Sequence, residues 1–111
     1  MQPKSAVLMS GGLTNSYANS QTFTVLGYAK TLITIKNMGG GSGITYQVQA
    51  NPNIGDGLAP WLTLLSGTTL TSGSVVTHKV TDPWYAIRVQ AKNTQTDLSG
   101  SVIVWVNGDP R

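Results

Sequence analysis

From Trp84 to Asn107 the chain reads WYAIRVQAKNTQTDLSGSVIVWVN. Over the first part of this stretch Tyr85, Ile87, Val89 and Ala91 alternate with Trp84, Ala86, Arg88, Gln90 and Lys92. A period of two puts alternate side chains on opposite faces of a strand, and here one face is apolar. A polar segment, Asn93 to Gly100, follows, and then a β-branched run from Ser101 to Val106. Two strands joined by a short polar loop predict an antiparallel hairpin, expected at the centre of the fold.

The rest of the chain keeps the same period. Residues 3–9 are expected to form a first strand opened by Pro3, with either Ala6 and Leu8 or Val7 and Met9 inward. Ser10-Gly11-Gly12 and residues 14–20 have the small polar chemistry of a loop. Further strands are expected at Gln21–Leu26, with Phe23 and Val25 on one face, and at Lys30–Asn37, with Ile33 and Ile35 inward. Ile44–Ala50 puts Ile44, Tyr46, Val48 and Ala50 on one face and Thr45, Gln47 and Gln49 on the other. The GGGSG run at 39–43 is expected to be a hairpin tip joining these last two strands, because glycine adopts positive φ without penalty. Asn51–Pro60 reads as a long loop, Trp61–Leu65 and Thr68–Leu70 as short strands about Ser66-Gly67, Ser74–Val80 as another strand, and Asp82-Pro83 as a turn. No segment of ten or more residues keeps a helical period. The pattern predicts an all-β fold of seven to nine short strands. It would be a single antiparallel β-sandwich spanning residues 1–111, immunoglobulin-like or jelly-roll-like. A chain of this length buries about two-thirds of its unfolded surface, enough for a core without staples.

Charge narrows the function. Only 10% of residues are charged, against about 25% in an ordinary soluble domain, and glutamate is absent. Ser, Thr, Asn, Gln and Gly must carry solubility instead, a surface that suits extracellular β modules and virus-particle proteins better than cytosolic enzymes. The absence of cysteine rules out disulfides and thiolate chemistry and leaves the compartment open. The seven basic residues are scattered without a run, so no nucleic-acid footprint is expected, only a weak pull toward an acidic surface. Near the N-terminus the apolar run Ala6–Met9 is too short for a signal peptide or a membrane span. An extracellular role would therefore be reached by lysis, by particle assembly or after processing.

No catalytic group stands out. The lone histidine, His78, lies in SVVTHKV, and its nearest acid in sequence is the turn residue Asp82. No nucleophile elbow and no histidine–carboxylate cluster accompanies it, so it is read as a strand residue with a satisfied imidazole. Asp56, Asp82 and Asp97 stand apart, unlike the clustered carboxylates of a calcium loop, and a single imidazole without thiolates excludes structural zinc. GGGSG precedes a strand rather than a helix and lacks the lysine of a phosphate loop. No catalytic residue, metal or cofactor is expected.

The aromatic residues point elsewhere. Val102, Val104 and Val106 share one parity of the last strand, and Ile103 and Trp105 share the other. A strand in a solvated sheet should be polar on its outer face, whereas this one is apolar on both. Either a loop or another subunit covers the outer side. Trp84, of opposite parity to Tyr85, Ile87 and Val89, is expected to point outward and to share a patch with Trp105 on a neighbouring strand. The expected interface comprises Trp84, Trp105 and Ile103, with Arg88 and Lys92 beside them. The alternative is glycan stacking on Trp61 and Trp84.

TLITIKNMGGGSGITYQVQA resembles the strand–turn–strand hairpin of immunoglobulin-like adhesion modules, and WYAIRVQAKN resembles the Tyr-x-Val-x-Val-x-Ala strand of fibronectin type III-like domains. The whole cysteine-free, glycine- and threonine-rich chain is similar in length and style to small all-β virion proteins of tailed phages. That resemblance implies symmetric oligomers, often trimers, seated on a capsid lattice. It points to a non-enzymatic virion protein, most simply a capsid decoration (cement) protein held on a major capsid or other virion protein, with no nucleic acid or membrane partner. The alternative is a carbohydrate-binding or adhesive module at a cell surface or outside the cell.

Overall fold

The computed structural model describes residues 2–39, 43–52, 61–81, 84–94 and 100–111. Among them run nine strands: β1 (Lys4–Leu13), β2 (Ala18–Asn19), β3 (Phe23–Thr24), β4 (Lys30–Gly39), β5 (Ile44–Asn51), β6 (Leu62–Leu70), β7 (Val75–Val80), β8 (Ala86–Asn93) and β9 (Gly100–Asp109). All pairings are antiparallel. The front sheet has the order β1-β9-β4-β7; the back sheet has the order β2-β8-β5-β6, with β3 also paired to β8. This is an all-β sandwich, and its connectivity is that of a jelly roll. Among the described residues β5 and β6 are the one pair of consecutive strands bonded to each other. In an immunoglobulin-like sandwich the last two strands share a sheet. Here they lie in different sheets.

The expected central hairpin is therefore not formed. β8 and β9 are each internal to a sheet, but to opposite sheets, so the chain between them crosses the sandwich instead of turning within one sheet. The same holds for β4 and β5, and with them for the adhesion-module hairpin resemblance. Alternation reports which side of a strand meets the core and is equally satisfied in either sheet. Residues 40–42 of the glycine run, residues 53–60, Asp82, Pro83 and residues 95–99 lie outside the described residues.

Other boundaries also move. Ser10-Gly11-Gly12 belongs to β1, paired with Ile103, Val102 and Ser101, and Gly11 takes a φ of 135° that suits glycine. A bulge at Leu8, between Val7 opposite Trp105 and Met9 opposite Val104, resolves the two inward alternatives of the first strand. Ala6, Leu8 and Met9 pack on the core, and Val7 points outward. β2 forms inside the expected 14–20 loop, only Phe23–Thr24 of Gln21–Leu26 is strand, and β6 is one strand with register shifts rather than two.

The inward parities are as expected. Ile33, Ile35, Val102, Val104 and Val106 from the front sheet meet Ile44, Tyr46, Val48, Ala50, Ile87, Val89 and Ala91 from the back sheet. Each fully buried aliphatic side chain contributes about 1.5–3 kcal/mol relative to exposure. At one end two buried asparagines tie the sheets together. Asn37 on β4 donates through Nδ2 to the Leu70 carbonyl on β6 at 3.0 Å, and Asn93 on β8 donates to the Leu13 carbonyl on β1 at 2.7 Å. At the other end the Tyr28 ring lies against Gly108, where a Cβ would come within 2.8 Å of the ring. Only glycine leaves that space.

Candidate functional site

Register decides what each outer face presents, because directly opposed residues in an antiparallel pair point to the same side. On the front sheet one row across the four strands is Val7, Trp105, Thr34 and Thr77. The next row toward one end is Ser10, Ile103, Lys36 and Val75; toward the other end it is Ser5, Asn107, Leu32 and Lys79. The face is thus a band of Val7, Leu32, Val75, Ile103 and Trp105 set among threonines and serines. Val7 is 49% exposed, Val75 53% and Leu32 39%, while Ile103 and Trp105 are half-buried by their neighbours. Thr34 and Thr77 share a hydroxyl–hydroxyl bond of 3.2 Å, and Ser5 Oγ donates to Asn107 Oδ1 at 2.6 Å. Much of the polar chemistry on this face is turned toward itself.

The back sheet differs. Gln47 donates to Gln90, which donates through Nε2 to Asn19 Oδ1 at 2.6 Å. Arg88 donates through Nε to Gln49 Oε1 at 2.9 Å and lays its guanidinium over the Trp61 ring, 4.3 Å from the centroid. Lys92 sits over the Tyr17 ring at 4.6 Å. Planar amides and cations tile this face, and the arginine–tryptophan stack holds its own partners in place.

The sandwich therefore separates residues that the linear reading placed together. Trp105 and Ile103 lie on the outer front face, and Arg88 and Lys92 on the outer back face. Trp84, just before β8, packs against the core, and its indole N–H is buried with no partner among the described residues. Trp84 leads into β8 of the back sheet and packs against the core, while Trp105 lies on β9 of the front sheet, so the two do not share a patch on neighbouring strands. For glycan stacking, Trp61 has one ring face covered by Arg88, and Trp84 is turned inward. Val7, Leu32 and Val75 escaped sequence reasoning. Their neighbours on the outer face come from register between distant strands, which no local pattern carries.

His78 faces inward on β7, with Nε2 2.6 Å from the Tyr46 hydroxyl. Burial pushes its pKa below the ordinary value of 6.5. In the neutral imidazole that this favours, the tyrosine hydroxyl donates to Nε2. Above pH 6.5 both folded and unfolded states are neutral at this residue. As pH falls through 6.5 the unfolded chain takes up the proton first, and stability declines until the folded imidazole also titrates. The thermal midpoint is expected to drop between pH 7.5 and 5.5 by less in His78→Gln than in the native chain, measured by circular dichroism. Among the described residues no group of three or more His, Cys, Asp or Glu could hold a metal, and no helix is long and apolar enough to cross a membrane.

No protein-family model matches the chain, and no curated protein matches it by sequence. Solved structures do share its fold. The PBSX exported protein XepA superposes with a TM-score of 0.62 at 13% identity over 96% of this chain and 37% of XepA. PirA superposes at 0.59 and 12% identity over 94% of this chain and 92% of PirA. The VP2 subviral particle of infectious bursal disease virus superposes at 0.58 and 10% identity over 98% of this chain and 33% of that protein. The chain thus spans about a third of the length of XepA and of VP2. At such identities the likeness is one of fold.

Proposed function

We propose that the chain is a non-enzymatic structural component of a virus particle, most specifically a decoration protein that stabilises a phage head as a symmetric oligomer on the capsid lattice. The observation that carries this reading is the outer face of β9. In a sandwich strand already apolar on its core side, Ile103 and Trp105 keep the second side apolar, flanked by exposed Val7, Leu32 and Val75. The likeness to the VP2 subviral particle supports it, since about a third of that particle-forming chain has the same fold. Binding would come from burial of this band at about 25 cal/mol per Å², and many copies on one particle would add avidity to individually weak contacts. The functional interface would then be Trp105 and Ile103 on the front sheet. Arg88 and Lys92 would contribute only to contacts made by the opposite face.

The test is association. Multi-angle light scattering of the native chain across a concentration series is expected to show a symmetric oligomer. Trp105→Ser is expected to weaken it by about tenfold or more, the loss of one central aromatic anchor. A chain that stays monomeric at every concentration, with Trp105→Ser indistinguishable from it, would remove the basis of the reading. A glycan array tests the carbohydrate-binding alternative.

A further inference from the structure

One end of the front face opens into a cleft of about 450 Å³ lined by Pro3, Lys4, Ser5, Lys30, Leu32, Lys79, Asn107, Gly108 and Asp109. We propose that this cleft seats an acidic segment of a different protein, with its carboxylates across Lys30 and Lys79 and its apolar part on the adjoining Leu32. The proposal rests on the front sheet being a docking face and names the chemistry of what docks there.

Three observations converge. The first is charge. The lining carries three lysines, and its single carboxylate, Asp109, is already engaged. Asp109 accepts the Arg111 backbone N–H at 3.0 Å, has the Arg111 Nε 3.6 Å away, and lies opposite Lys30 across the β4–β9 pair. Those same contacts hold its carboxyl below the usual carboxylate range, the Arg111 backbone hydrogen bond foremost. The second is placement. Lys30 on β4 and Lys79 on the neighbouring β7 stand on the outer side of the front sheet beside exposed Leu32, whereas Lys4 falls in the core-side row with Gly108, Thr31 and Val80 and holds its ammonium 5.9 Å from the centre of the Phe23 ring. The two outward ammonium groups are thus the ones an acidic segment lying over Leu32 would meet. The third is composition. A second copy of this chain offers four aspartates and no glutamate, and one of the four is Asp109 in the cleft itself. Self-association can use the apolar band, but it has little with which to answer the lysines. A separate acidic partner does, and the exposed ammonium groups would steer it into register while being weakened by salt.

The experiment uses a fluorescein-labelled octaglutamate peptide, with anisotropy followed on the full chain at low salt and at about 0.3 M salt. Saturable binding is expected at low salt, together with amide shifts by NMR at Leu32, Lys79 and Asn107. Lys30→Gln/Lys79→Gln is expected to weaken binding by about tenfold or more, while Lys36→Gln/Lys92→Gln, which removes the same charge elsewhere, stays within about twofold. Equal weakening by both pairs would mean diffuse attraction and overturn the proposal. Displacement of the peptide by inorganic phosphate at equal carboxylate-to-phosphate charge would also overturn it, marking a small-anion site. The light-scattering result for Trp105→Ser is independent of these readouts. If Trp105 matters and the lysine pairs behave alike, only the acidic partner is lost; if Trp105 is silent, the docking face itself is in error.

Discussion

Tyr46→Ala is expected to lower the stability of the sandwich by about 3–5 kcal/mol, the range for removing a large buried aromatic side chain. Tyr46 is fully buried on β5, among the largest side chains in the core, with its ring 5.5 Å from the His78 ring. β5 is internal to the back sheet, bonded to β8 on one side and β6 on the other, so its backbone has little freedom to collapse into the space left behind. In a chain of this size the thermal midpoint should fall on the order of 15 °C. Tyr46→Phe keeps the ring and loses only the hydroxyl 2.6 Å from His78 Nε2, for which about 1 kcal/mol is expected. The two variants separate packing from hydrogen bonding. If Tyr46→Phe is as damaging as Tyr46→Ala in urea titrations, the hydroxyl rather than the ring holds this part of the core.

Asn37→Ala is expected to remove about 2–3 kcal/mol, from the loss of the buried partner of two backbone groups. The Asn37 amide gives its Nδ2 to the Leu70 carbonyl of the other sheet and accepts the Gly39 N–H at 3.0 Å through Oδ1. Gly39, at a φ of 111°, follows the bulge that skips Met38, so one side chain fixes both an inter-sheet contact and the local break in register. No isosteric apolar residue answers both groups. Leucine would fill the volume and leave the carbonyl and the N–H dry, so Asn37→Leu is expected to be no better than Asn37→Ala. Denaturant midpoints for the pair check this. A leucine variant as stable as the native chain would show that the amide's bonds contribute nothing net.

Much of this architecture is visible in the linear chain. The inward sets Ile33/Ile35, Ile44/Tyr46/Val48/Ala50, Ile87/Val89/Ala91 and Val102/Val104/Val106 follow from alternation alone, because a pleated strand must send successive side chains to opposite sides. The doubly apolar character of β9 was equally legible, and with it the question of what covers Trp105. Less visible was where strands end. Gly11 and Gly12 look like loop residues, yet β9 supplies bonding partners that hold them in β1. Leu8 and Met9 both turn to the core only because a bulge interrupts their alternation.

Taken by itself, the amino-acid sequence determined that the chain is all-β, which side of each long strand is buried, and that no cysteine chemistry is available to it. The tertiary structure alone decided which sheet each strand enters. It thereby put Trp105 and Arg88 on opposite faces, turned Trp84 inward, and gathered Lys4, Lys30 and Lys79 around one cleft. The physical reason is that alternation is a local property enforced by the backbone. Sheet membership and register are set by long-range pairing between strands as far apart in the chain as β1 and β9, and a short polar loop fits a turn within a sheet as well as a crossing between sheets.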